Sequence, residues 1–261
     1  MASGSGQFTG ERPGWGENFD YDEARHLAAY RYALTLAAGK RVLDAGCGEG
    51  FGTQLLADVA AAVVGVDYSA DAIACCQRTW LKPHLSFLQL DLTHPGGYAD
   101  TFDLVINFQV VEHIRDEIPF LEGLKARLAP DGRLLLTTPN RLKSFSENPY
   151  HVREYTAPEL EALLQRVFGA VVLLGMHGND KVTRFDVARE RSVKRILRLD
   201  PLGLRKLLPS RLVNFAFAKL AVLVRRQARA LSSAERIRPE DFSVGGERLD
   251  DALDLVAICR R

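Results

Sequence analysis

The chain has 261 residues, 47% of them hydrophobic and 26% charged, with a formal net charge of +1. That is enough apolar material for one substantial core and an appendage, and nowhere does it reach the roughly 20 uninterrupted apolar residues of a membrane span. The four cysteines, Cys47, Cys75, Cys76 and Cys259, make no C-x-x-C pair and no His-Cys zinc spacing, which points to a reducing cytoplasm.

The start, MASGSGQFTG, is polar and glycine-rich, has no secretory signal pattern, and reads as a flexible tail over residues 1–21. A helix near 22–38 follows, mixing charges and aromatics. The first strand, 41–45 (RVLDA), is an apolar run that ends with Asp44 and Ala45 and empties into Gly46-Cys47-Gly48-Glu49-Gly50. A glycine at every second position suits a tight turn where backbone must approach a ligand. A dinucleotide fingerprint would need G-x-G-x-x-G, and the sixth position is Phe51 counted from Gly46 and Thr53 counted from Gly48. The NAD reading fails at its most informative glycine.

Strands and helices then alternate. A helix at 52–60 leads to a strand at 62–66 that runs into Asp67-Tyr68, and a helix at 69–79 leads to a strand at 85–90 that runs into Asp91-Leu92. Next come a strand at 102–108 (FDLVINF), a helix at 116–129, a strand at 132–138, a helix at 157–167 and a strand at 170–175. A last strand lies at 253–259. This rhythm predicts an α/β fold, a parallel sheet with helices on both faces. Three acids at strand ends, Asp44, Asp67 and Asp91, each have the alternative of simply capping the following helix.

The D-x-G-x-G-x-G string from Asp44 to Gly50 resembles motif I of the class I S-adenosylmethionine (SAM) methyltransferases, and Leu128-Ala129-Pro130-Asp131-Gly132 resembles the corner before the fifth strand of that family. The resemblance implies a Rossmann-like seven-stranded sheet and SAM as cofactor. It implies a cofactor site of Asp44, Gly46, Cys47, Gly48 and Gly50, with Asp67 and Tyr68 at the ribose, Asp91 and Leu92 at the adenine, and Asn107 and Phe108 at the end of the fourth strand. In the family the terminal strand inserts antiparallel beside its neighbour.

The stretch Glu112-His113 after the fourth strand resembles the "EH" box of many SAM-dependent O-methyltransferases. An imidazole there can accept a hydroxyl proton near neutral pH, which makes His113 the first choice of base and Glu112 its neighbour in the catalytic set. The alternative is that both residues only hold the loop. Thr137-Thr138-Pro139-Asn140, with Asn148-Pro149-Tyr150-His151-Val152-Arg153-Glu154-Tyr155, resembles a segment of methyltransferases from polysaccharide, glycolipid and natural-product pathways. His151 is therefore a second base candidate, with loop hydrogen bonding as its alternative, while Asn140, Tyr150 and Glu154 are assigned to the acceptor. Thr156-Ala157-Pro158-Glu159 is a capping box and is structural. The N-terminal helix resembles a lid, from which Arg25, His26, Tyr30 and Arg31 would reach the methionine carboxylate or the acceptor. No spacing demands a metal, although Mg2+ is compatible with the Asp, Glu and His residues present.

Between Lys181 and Leu231 there are fourteen Lys or Arg against three acids, so the basic charge of the chain is concentrated there. The segment interrupts the strand and helix rhythm. The expected organisation is a tail at 1–21, a cofactor-binding core with its lid helix at 22–180, a basic α-helical cap inserted at 181–248, and the final strand at 249–261. Leu212 to Val224 is too short as a helix to span a bilayer. It reads as a buried cap, a homodimer seam, or, through 211–229, a peripheral membrane contact. The expected activity is transfer of a methyl group to a hydroxyl of a small-molecule, sugar or lipid-linked acceptor, in a cytoplasmic monomer or homodimer. A C- or N-methyltransferase of a small metabolite and a non-catalytic SAM-binding module are the alternatives. Nucleic acid is set aside because the N-P-P-Y/F motif is absent, the nearest string being Asn148-Pro149-Tyr150.

Overall fold

The structure is a computed structural model that describes residues 20–93, 100–144, 148, 150–197 and 236–261. Its centre is an eight-stranded sheet in the order β3-β2-β1-β4-β5-β8-β6-β7. Strands β1 (Arg41–Ala45), β2 (Ala62–Asp67), β3 (Leu85–Gln89), β4 (Phe102–Phe108) and β5 (Leu128–Pro139) are mutually parallel, with helical crossovers after β1, β2 and β4. β8 (Asp254–Arg260) inserts antiparallel between β5 and β6 (Ala170–Gly178), as the family resemblance implied.

Helices α1 (Asp20–Ala37), α2 (Phe51–Leu56) and α6 (Asp180–Leu197) contribute to the core on one face of the sheet; α4 (Glu117–Ala126) and α5 (Ala157–Gln165) fill the other, while α3 (Ala70–Thr79) packs beside β2 and β3. Both faces of the sheet are covered, and the buried positions of β1 and β4 are apolar except for Asp44 and Asn107, while Arg41 and Asp103 at the strand starts are exposed. The sheet order reverses between β1 and β4. Ligands of open α/β sheets gather beyond the carboxyl ends of the strands at such a switch point.

Two features depart from the expectation. An eighth strand, β7 (Phe242–Gly245), pairs antiparallel with β6 at the sheet edge; four residues, FSVG, are too few to show a period in the sequence. The fifth strand begins at Leu128, where a helix end and turn were expected, because Leu128 pairs with Phe102 ahead of a register shift. The inserted segment opens with α6, which docks on α1. Tyr21 stacks on Phe185 at 4.9 Å and donates to Asp186 at 3.0 Å, while the Arg189 guanidinium lies over the Tyr21 ring. Lys181 and Asn179 both reach Asp241, so the two ends of the insertion are tied together. Residues 211–229 lie outside the described residues. No helix among those described is long and apolar enough to cross a membrane.

Candidate functional site

The loop after β1 holds Gly46, Gly48 and Gly50 all at positive φ. Two of them are glycine because of protein, not ligand. A Cβ on Gly46 would sit 2.4 Å from Val110 Cγ2, and one on Gly50 would sit 2.9 Å from Cys76 Sγ and 2.8 Å from Phe87 Cε1. Gly48 is the opposite case, with no protein atom within 4 Å of its missing Cβ, so the loop is open to a ligand at its middle glycine. Asp67, at the end of β2, accepts the Gly48 N–H at 3.0 Å and the Ser69 N–H at 2.9 Å, which ties the loop to the next βα turn. Tyr68 beside it is 75% exposed, a ring available to lie on a planar ligand. Asp91 stands exposed at the corresponding position after β3, where it accepts from the Thr93 N–H and hydroxyl; Leu92 next to it is buried. An open glycine loop beside carboxylates and an exposed ring fits the adenosine and ribose of SAM.

Asp44 is placed differently from that set. It is fully buried and its Oδ2 accepts from Tyr30 Oη at 2.9 Å and Thr53 Oγ1 at 2.7 Å, so it fastens α1 and α2 to β1. Its other oxygen, Oδ1, has no hydrogen-bond partner among the described residues. Burial, working against those two hydrogen bonds, pushes its carboxyl up to about 6. Asn107 is likewise internal, its Nδ2 donating to the Ala45 carbonyl at 2.7 Å to clamp β4 to β1, and Phe108 packs edge-on against Tyr30 at 5.0 Å. Cys47 is buried beneath the loop with Cys76 and Phe87.

Three residues assigned to the acceptor are turned elsewhere. Tyr30 is 2% exposed, its ring filling the space over Gly52 and its hydroxyl spent on Asp44. Arg31 points outward to Glu240 at 2.5 Å. Asn140 closes a loop: its Oδ1 accepts the Leu142 N–H, and its Nδ2 donates to the carbonyls of Leu249 and Ala252. The helical spacing of Tyr30 and Arg31 says nothing of which side of α1 meets the core. His26 packs its ring edge-on against Tyr30 at 5.1 Å, and burial pulls its pKa down to about 4, which keeps it neutral.

The two histidine segments come together. Val152 and Arg153 N–H groups both donate to the Glu112 carbonyl, at 2.8 and 3.2 Å, which lays the later loop over the turn after β4. His113 and His151 then face each other edge to face with ring centroids 5.0 Å apart. His113 Nδ1 lies 3.0 Å from the Tyr150 carbonyl; a carbonyl only accepts, so Nδ1 carries the proton and Nε2 is the basic atom of the ring. His151 is bound at both nitrogens. Asn148 Oδ1 accepts the Tyr150 N–H, so its Nδ2 is the donor to His151 Nε2 at 2.8 Å, leaving Nδ1–H to donate to Glu154 Oε1 at 2.6 Å. Burial opposes charge on Glu154, but the hydrogen bonds from His151 and Ser144 outweigh it and hold the carboxyl below the usual range. Tyr150 thus contributes backbone, and Glu154 orients an imidazole.

Glu112 lies under both rings, 1% exposed. Its Oε2 accepts from Thr138 Oγ1 at 3.0 Å, and its Oε1 has no hydrogen-bond partner among the described residues. Burial pushes this carboxyl up to about 8 against the pull of its backbone hydrogen bond, the nearby His151 and the Thr138 hydroxyl.

Two contributors were not singled out from the sequence. Gln109 has a left-handed backbone, φ 55°, unusual for a residue with a Cβ, and its Nε2 reaches Asp254 Oδ1 at 3.2 Å and Thr137 Oγ1 at 3.3 Å. Asp254, at the start of β8, is gripped from the other side by Arg25 of α1, whose Nε donates at 2.6 Å. An acid opening the apolar run LDLVAI was the only hint.

Comparison with known proteins agrees with this architecture. Residues 20–171 match the profile of a methyltransferase-domain family. A probable S-adenosylmethionine-dependent methyltransferase of Mycolicibacterium smegmatis is 32% identical over 97% of this chain and 94% of its own length. A ubiquinone biosynthesis O-methyltransferase of Haemophilus ducreyi is 33% identical over 41% of this chain and 49% of its own. Among solved structures, a SAM-dependent methyltransferase of Mesorhizobium loti shares the fold with a TM-score of 0.55 at 17% identity, covering 92% of this chain and all of that one. With the family profile over more than half the chain and a relative aligned along nearly all of it, this protein belongs to the SAM-dependent methyltransferases.

Proposed function

We propose that the protein transfers the methyl group of SAM to a hydroxyl oxygen of a sugar, glycolipid or natural-product acceptor, with His113 receiving the proton. The observation that carries this reading is the tautomer of His113, whose Nδ1 is committed to the Tyr150 carbonyl while Nε2 remains basic beside the end of β4. SAM supplies an already activated sulfonium methyl, displaced in line by the acceptor oxygen. The protein's part is to hold that oxygen in line, exclude water, and accept its proton at His113 Nε2, giving a methyl ether and S-adenosylhomocysteine. Alignment alone is worth roughly 7 to 11 kcal/mol and a positioned base a further 10²- to 10⁴-fold.

In this reading Asp67, Asp91, Tyr68 and the loop around Gly48 hold the cofactor, and Asp44 acts from beneath as a fastening of the loop's root. Relatives named for ubiquinone biosynthesis O-methylation favour oxygen as the acceptor atom, although they align with less than half of the chain. The test is methyl transfer from labelled SAM to a panel of nucleotide sugars, oligosaccharides, glycolipids and phenols, with the methylated atom assigned by mass spectrometry and NMR. A methyl ether is expected. A product methylated on carbon or nitrogen, made at full rate by His113→Ala, overturns the reading.

A further inference from the structure

We infer that Glu112, His113 and His151 form a binding site for one divalent transition-metal cation, of the zinc, manganese or iron(II) class, set into the acceptor side of the fold. One oxygen of Glu112 and one ring nitrogen of each histidine lie within 4.8 Å of one another. Ligands of a tetrahedral ion bound at about 2.1 Å stand about 3.4 Å apart, so a rotation of the imidazoles and carboxyl of about an ångström closes the set.

An independent observation points at the same spot. Glu112 is 1% exposed, yet its Oε1 has no hydrogen-bond partner among the described residues, although Thr138 satisfies Oε2. A buried carboxyl oxygen without a partner is costly, and a cation bound to the ionised form removes the cost. The outer contacts also have the form metal ligands need. His113 Nδ1 is held by the Tyr150 carbonyl and His151 Nδ1 by the Glu154 carboxylate, so each ring is oriented with Nε2 as the coordinating atom. Asn148 Nδ2 donates to His151 Nε2 at 2.8 Å, in the place a cation would take, and must withdraw on loading.

The ligand types set the class of ion. Two imidazoles with one carboxylate suit zinc, manganese or iron(II), whereas magnesium favours oxygen ligands and keeps its waters. An ion held by three side chains keeps open positions, and one of them would take the acceptor oxygen and ease loss of its proton; His113 Nε2 is then a ligand, and its role as proton acceptor belongs to the cation-free protein. In that respect the inference deepens the proposed O-methylation, whereas cation binding itself is measured without any acceptor.

The experiment is calorimetric titration of the chelator-stripped, full-length protein with Zn2+, Mn2+ and Mg2+, repeated on Glu112→Gln and on His113→Ala. SAM binding is measured alongside to show that each variant is folded. One Zn2+ or Mn2+ per chain is expected, with Mg2+ at least 100-fold weaker and each substitution weakening the transition metal at least tenfold while SAM affinity stays within threefold. No stoichiometric binding, or binding that both substitutions leave unchanged, overturns the site. If the cation binds and no hydroxyl acceptor is ever methylated, the O-methylation reading fails and the metal site stands.

Discussion

His113 and His151 meet edge to face at 5.0 Å, brought together because Val152 and Arg153 donate to the carbonyl of Glu112. The two rings are held by different partners: His151 by Asn148 and Glu154 at its two nitrogens, His113 by the Tyr150 carbonyl at Nδ1.

Two variants are expected to differ. With chelator present, His113→Ala is expected to lower kcat at least tenfold and leave the SAM dissociation constant unchanged, because it removes a group that acts only as the proton leaves. His151→Ala is expected to cost less than tenfold, since its ring orients its neighbour. Steady-state kinetics with calorimetry for SAM checks both, and equal losses in the two variants would make them joint proton acceptors.

Asp67 anchors the open loop through Gly48, and the proposed function assigns it to the cofactor. Asp67→Ala is expected to weaken SAM by removing charge-assisted bonds, each worth about 1.5 to 3 kcal/mol, or roughly 10- to 150-fold in the dissociation constant. Calorimetry measures this, with NAD as a control that should not bind to either form.

Asp44 has a carboxyl pushed up to about 6 by burial, above its ordinary 3.8. A group with a raised folded-state pKa contributes stability that is fully present below the unfolded pKa and is lost as pH rises through the folded one. Relative to Asp44→Asn, the wild type should therefore lose on the order of 3 kcal/mol between about pH 4 and pH 6 and then level off. Urea unfolding of both proteins across that window tests it; parallel curves would mean that Asp44 is ionised in the folded protein.

Arg25 and Asp254 join the N-terminal helix to the last strand with side chains 19% and 3% exposed. Arg25→Ala leaves a carboxylate buried without its cation, and a loss of about 3 to 5 kcal/mol is expected by denaturant unfolding. Because the damage lies in the stranded charge, Arg25→Ala with Asp254→Ala together should cost less than the sum of the two.

The glycine loop, the acids at 67 and 91, the strand and helix alternation and the Thr156 capping box were all legible in the sequence, because each depends on local backbone chemistry or on a short period of apolar residues. Motif resemblance added the antiparallel last strand and placed Glu112, His113 and His151 in one site, where the structure brings them within 4.8 Å. Direction could not be read locally. Tyr30, Arg31 and Asn140 have the chemistry of acceptor contacts, but the packing of α1 on β1 and β4 turns Tyr30 onto Asp44, sends Arg31 out to Glu240, and the chain crossing at Leu249 to Ala252 consumes Asn140. Gln109 and Asp254 are adjacent only because β4 and β8 flank the same strand, β5. Residue type and short-range spacing determine which elements form and what chemistry they carry, whereas a side chain's partner depends on the order of strands in the sheet, which joins positions that the chain keeps far apart.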